Sequence, residues 1–139
     1  MGNPSPDDDD PVIHLDTSVL VDALAGARRS ARTLRRVVEQ GERVAISTLV
    51  LYEWLRGPRV EAEIADQEDL LPAAQAALFG PREAARAAQL YRTVPRARGR
   101  EFDLGVAACA LVHEASLWTL NPGDFRDVPS LTLYRGPRR

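Results

Sequence analysis

Apolar residues along the chain fall into short runs that alternate with longer stretches of helical period. VIHL at 12–15 is the first run; it breaks on Asp16 and resumes as TSVLVDAL at helical spacing. RVAIS at 43–47, LWTL at 117–120 and LTLY at 131–134 are further strand-length runs, and AALF at 76–79 fits either a short strand or buried coil. The stretches between them predict helices. Residues 17–24 stop at Ala25-Gly26, and residues 27–40 carry Leu34, Val37 and Val38 as an apolar stripe before Gly41 ends them. TLVLYEWLRG closes at Gly57-Pro58, a charged helix follows over 60–71, and PREAARAAQLYRTV opens with Pro81 at a first helical turn. A last helix is expected over 100–115, and NPGDF after the third strand reads as a turn or single helical turn. Strands alternating with helices predict an α/β fold, a central parallel sheet covered by helices on both faces.

Composition narrows the class. A chain of 139 residues suffices for one domain that buries most of its apolar surface without disulfides or a structural metal. That domain is expected over 11–135, with MGNPSPDDDD read as a flexible acidic tail over 1–10 and residues 136–139 as a short basic tail. The single cysteine, Cys109, lies inside VAACALV and has no internal bridging partner. With no signal-peptide pattern, a reducing cytoplasm is the expected compartment. No apolar run is long enough to span a bilayer, so no membrane partner is expected. The formal net charge of -2 depends on the four aspartates at 7–10; without them, 18 basic residues face 16 acidic ones. Every basic residue is Arg, a usage that a GC-rich genome explains without any chemical demand.

Asp16 is where chemistry enters. A carboxylate directly after a buried strand is costly to desolvate, and two readings compete for it. It caps the following helix, or it lines a site, because ligands in open α/β sheets bind outside the carboxyl ends of the strands. Three more acids bear on the choice: Glu53 on the helix after the second strand, Asp103 in the first turn of the last helix, and Asp124 just after the third strand. In a parallel sheet those strand ends share one edge, so acids separated in turn by 37, 50 and 21 positions can converge there. Glu53 in LVLYEWL and Asp103 in FDLGVAA also sit in apolar surroundings, where a carboxylate needs a pair, a hydrogen bond or a metal. Hard oxygen donors without a His or Cys cluster suit Mg²⁺ or Mn²⁺ rather than zinc. His14 and His113 are isolated in sequence and are not expected to ligate. A carboxylate-rich site of this kind serves phosphoryl chemistry, since such ions neutralise phosphate charge and acidify an attacking water.

Four segments in order carry a resemblance. LDTS with Asp16, YEWLRG with Glu53, FDLGVAACAL with Asp103, and LWTLNPGDF with Asn121 and Asp124 are similar to the motifs of PIN-domain ribonucleases, specifically the toxin component of VapBC-type toxin–antitoxin pairs. The similarity runs from about Val12 to Tyr134. It implies a PIN-like three-layer fold around a parallel sheet of about four or five strands. Asp16, Glu53, Asp103 and Asp124 would form the acidic metal site; Ser18, Thr17, Thr119 and Asn121 would be its supporting polar groups. The implied reaction is Mg²⁺- or Mn²⁺-dependent endonucleolytic hydrolysis of RNA to 5′-phosphate and 3′-hydroxyl ends. The implied assembly is a homodimer inhibited by a cognate antitoxin, whose tail often places a basic side chain in the acidic pocket.

Two rivals remain in view. A haloacid-dehalogenase-like phosphatase also follows its first strand with an Asp, but its pattern wants a second Asp where this chain has Ser18, and the chain has no Lys for that family's basic role. The other is a catalytically silent PIN-like module that binds RNA or a protein, against which the full acid quartet argues. Among the remaining residues, Asp22 is expected on another face of its helix, Asp127 in solvent, and Glu101 as a first-turn dipole partner or outer ligand. Arg28, Arg32, Arg35 and Arg36 are expected to form a solvated, dimer or antitoxin-facing stripe, with a grip on an RNA backbone as the competing reading. Arg96, Arg98 and Arg100, in the loop leading to Asp103, are candidates for contact with RNA, because an acidic pocket needs a basic rim to admit a polyanion. Trp54, Trp118 and Cys109 read as core.

Overall fold

A computed structural model describes residues 12–137. The expected acidic tail at 1–10 and the last two residues of the basic tail lie outside the described residues. Strand β1 (Val12–Leu15) is central, flanked by β2 (Arg43–Ala45) and β3 (Ser116–Trp118), all parallel in the order β2-β1-β3. Ile13 stands opposite Val44 on one side and Ser116 on the other, so the three carboxyl ends share one edge.

Two single parallel bridges extend the pairing, Ser47 with Ala77 and Leu117 with Leu133. They lie in the AALF and LTLY runs. The expected strand at 131–134 therefore contracts to one bridge, fixed by Leu117 N–H donating to Thr132 O (2.9 Å) and Tyr134 N–H donating to Leu117 O (2.8 Å). Thr132 is exposed and its neighbours only half-buried, so little apolar burial rewards further pairing there.

Among the described residues there are six α-helices, α1 (Thr17–Leu24), α2 (Ala31–Glu39), α3 (Thr48–Arg56), α4 (Glu61–Leu70), α5 (Pro81–Thr93) and α6 (Glu101–Val112); α1 and α6 pack on the sheet, α2 and α4 against α1, and α5 against α6. The second helix begins later than its apolar spacing predicts, because Arg28 takes a left-handed turn (φ 53°) and Ser30 N–H donates back to Asp22 O. The last helix stops early, at the left-handed Glu114. Ser47 caps α3, its hydroxyl accepting from Val50 N–H at 3.2 Å. Among the described residues no helix is long and apolar enough to cross a membrane.

The core joins Ile13 and Leu15 of β1 to Val19, Leu20 and Ala23 of α1, Val50 and Trp54 of α3, and an uninterrupted buried stretch of α6 from residue 104 to 110. A helix apolar all round has to be central. At Gly105 the side chain of Leu49 on α3 packs against the backbone of α6: a Cβ there would lie 2.8 Å from Leu49 Cδ1. Leu49 is one turn before Glu53, and Gly105 two residues after Asp103, so this contact lies close in sequence to both acids.

Candidate functional site

Asp16 follows β1 directly. Its amide donates to Trp118 O at 2.8 Å, continuing the β1–β3 register. Although it holds the N-cap position of α1, its side chain makes no capping hydrogen bond. Both neighbouring hydroxyls donate to the same carboxylate oxygen instead: Thr119 Oγ1 to Oδ2 at 2.7 Å and Ser18 Oγ to Oδ2 at 3.0 Å. Each hydroxyl also accepts a backbone amide, Ser18 from Leu120 (3.0 Å) and Thr119 from Asn121 (3.0 Å). The network closes the loop after β3 onto the start of α1 and holds Asp16 in one orientation. Burial raises the Asp16 pKa, against the lowering effect of the Thr119 and Ser18 hydrogen bonds.

The other acids arrive on separate elements. Glu53, on α3, is half-buried and meets Arg56 Nη2 at 3.3 Å, an exposed (i, i+3) pair of little energetic weight. Asp103 sits in the first turn of α6 and Asp124 on a one-turn 3-10 helix, Pro122–Asp124. Asp103 is pushed up to about 6, by burial first and then by the charges of Asp16, Asp124 and Glu53. All four acids, with Thr17, Ser18 and Asn121, line one open cleft of about 380 Å³ at the carboxyl edge of the sheet. Thr119 stands behind Asp16, bonded to it.

This donor set fits a hard divalent cation. Five carboxylates, those four and Asp22, line the cleft without a histidine or thiol, and the buried hydroxyl Thr17 Oγ1, at the cleft wall, has no protein partner. Among the described residues no three Asp, Glu, His or Cys side chains are drawn together into a ready-made cage.

The structure also relocates residues. Asp22 lines the cleft rather than lying on another helix face, and its Oδ2 accepts from Ser30 Oγ. Its position was legible in the i, i+4 spacing from Ser18; counting from Asp16 misleads, because Asp16 precedes the helix. Asp127 is not simply solvated: it forms a forked ion pair with Arg100 at 2.6 and 2.9 Å. No sequence signal links two loop residues 27 positions apart. Arg96 and Arg98 are exposed in the loop before α6, whereas Arg100 is engaged by protein groups.

The histidines belong to a different region. His14 is buried, its ring 5.8 Å from that of His113, whose Nε2 meets Glu83 Oε2 at 3.2 Å. Burial, then the charge of His113, lowers the His14 pKa to about 4 and keeps its ring neutral. Trp54 is fully buried beneath the Arg59 guanidinium, and Trp118 packs edge-on against Tyr134. Cys109 is buried and its thiol is pushed up to about 11, chiefly by burial, which suits a core residue and not a nucleophile.

A parallel sheet with acids gathered at its carboxyl edge defines a class, and comparison with known proteins specifies it. The PIN domain signature matches residues 13–131. The chain is 35% identical over 120 residues to Ribonuclease VapC19 of Mycobacterium tuberculosis, covering 84% of this chain and 94% of that protein. The fold is similar to a crystal structure of VapBC2 from Rickettsia felis bound to a promoter DNA fragment, with TM-score 0.69 and 20% identity over 90% of this chain and 98% of that one. A DNA-bound VapBC from Salmonella typhimurium gives TM-score 0.69 and 19% identity, covering 89% of this chain and 97% of that one. The chain belongs to the PIN-domain family and, within it, to the VapC ribonucleases.

Proposed function

We infer that the chain is a divalent-metal-dependent endoribonuclease, the toxin of a toxin–antitoxin pair, which hydrolyses RNA to leave 5′-phosphate and 3′-hydroxyl ends. The observation that carries this reading is the convergence of Asp16, Glu53, Asp103 and Asp124 on one open cleft. Asp16, Asp103 and Asp124 would hold the cation, Mg²⁺ or Mn²⁺, and Glu53 would complete the set or orient the attacking water. When bound, such an ion supplies charge neutralisation at the phosphate and a more acidic water. Ser18 and Thr119 keep Asp16 aimed by binding its Oδ2, while Thr17 and Asn121 add polar groups to the cleft wall.

Arg96 and Arg98, exposed beside the start of α6, offer positive charge to the RNA backbone. The VapBC complexes among the structural relatives support a cognate antitoxin as partner. A homodimer is the assembly expected with it, and a reducing cytoplasm, compatible with the buried free thiol of Cys109, is the compartment.

The test is incubation of antitoxin-free protein with total RNA in Mn²⁺ or Mg²⁺ and in EDTA, with new 5′ ends sequenced. Discrete ends are expected only with metal, and Asp16→Asn should reduce them to background. Undiminished cutting by that variant would remove Asp16 from the mechanism. If the wild type neither cuts RNA nor binds Mn²⁺ in calorimetry, the silent binding module replaces the nuclease.

A further inference from the structure

Arg100 is the most heavily bonded side chain near the cleft. Its Nη1 donates to Pro95 O at 3.0 Å and to Asp127 Oδ2 at 2.9 Å. Its Nη2 donates to Asp124 O at 2.9 Å and to Asp127 Oδ1 at 2.6 Å. A guanidinium has five N–H donors, and four are engaged by protein acceptors. Little of the group remains for a phosphate, and its side chain is only 22% exposed. The basic rim is therefore left to other residues, and Arg100 has a different use.

That use follows from what it joins. Asp103 is on a long buried helix, three residues after Arg100. Asp124 is on an exposed one-turn 3-10 helix containing Gly123, held by short-range bonds such as Asp124 N–H to Asn121 O at 3.0 Å. Such a turn is weakly determined by its own geometry. Buried Phe125 anchors one side of it. Arg100 anchors the other, reaching from the N-cap of α6 to the carbonyl of Asp124 itself. Asp127 fixes the plane of the guanidinium through a two-pronged pair, the arrangement in which Arg and Lys are not interchangeable. The same cation opposes the repulsion at Asp103.

We propose that Arg100, clamped by Asp127, is a positioning residue that sets the separation of Asp103 and Asp124 and so the affinity of the cleft for its divalent ion. This rests on the metal-site reading given above.

The test uses the full-length, antitoxin-free chain as wild type, Arg100→Lys and Asp127→Asn. Mn²⁺ affinity is measured by titration calorimetry, unfolding temperature in EDTA, and the salt dependence of RNA binding. Both variants should fold and bind Mn²⁺ about 10- to 100-fold more weakly, the usual consequence of losing a group that orients a metal ligand. RNA cleavage should recover in part as Mn²⁺ is raised. Unchanged Mn²⁺ affinity in both variants overturns the proposal. A lower unfolding temperature with unchanged affinity makes the pair a structural brace, and a shallower salt slope with unchanged affinity makes Arg100 an RNA contact; either rejects the positioning role. If Arg100→Lys does not fold, Asp127→Asn decides alone, since it preserves the size of the side chain. A wild type that binds no Mn²⁺ overturns the metal-site reading itself, an outcome distinct from a wild type that binds and variants that bind equally well.

Discussion

Asp103 is half-buried among three other carboxylates and its pKa is pushed up to about 6, by burial first and then by their charges. A carboxyl with a folded-state pKa above its unfolded value favours folding only while it is protonated. Without metal, stability should therefore fall as pH rises through the window from about 4 to about 6. Asp103→Asn removes that penalty. In EDTA at pH 7.5 the variant should be more stable than wild type by about 1 kcal/mol, discounted for partial exposure, with the gap closing below about pH 4. Urea unfolding at a series of pH values measures it; a gap that ignores pH would show that the carboxylates do not repel in this way. Of the five acids that line the cleft, Asp16 was legible because it directly follows a strand, Glu53 and Asp103 because they stand out of apolar contexts, and Asp124 through its place in the turn after the third strand. Asp22 was misread because its helix was phased from Asp16, a residue outside that helix.

Helix α6 carries seven consecutive buried residues, and a Cβ added at Gly105 would lie 2.8 Å from Leu49 Cδ1 of α3. Gly105→Val should separate α3 from α6 and destabilise the protein by about 1 to 3 kcal/mol, the usual cost of overpacking a filled core. Urea denaturation should show a lower midpoint, and Mn²⁺ affinity should drop as Glu53 moves from Asp103. Unchanged stability and affinity would show that this contact does not set the spacing. The helices were legible because their apolar period persists over two turns or more, and Pro81 and Gly57 mark a start and an end. Strand limits were less so. A run such as LTLY carries the local preference for a strand, but its length depends on how much of it the rest of the chain covers, and here that is one bridge.

For the molecule as a whole, the metal should act as a stabilising ligand. Binding to the folded state alone contributes about 2.7 kcal/mol at a free concentration 100 times Kd. Mn²⁺ should accordingly raise the unfolding temperature of the wild type, EDTA should reverse the rise, and Asp16→Asn should largely abolish it. Thermal scans across a Mn²⁺ series check all three; a rise undiminished in Asp16→Asn would place the bound ion elsewhere. The α/β class and the four candidate acids were already present in the linear order of strand, acid and helix, because those signals reside in local period and residue type; the family was carried by the resemblance of four ordered motifs. Which acids share a cleft, that Asp16 orients toward Ser18 and Thr119 instead of capping α1, and that Arg100 grips Asp127 were decided only by the tertiary structure. Contacts between residues 27 to 103 positions apart depend on parallel register and helix packing, and no local pattern encodes those distances.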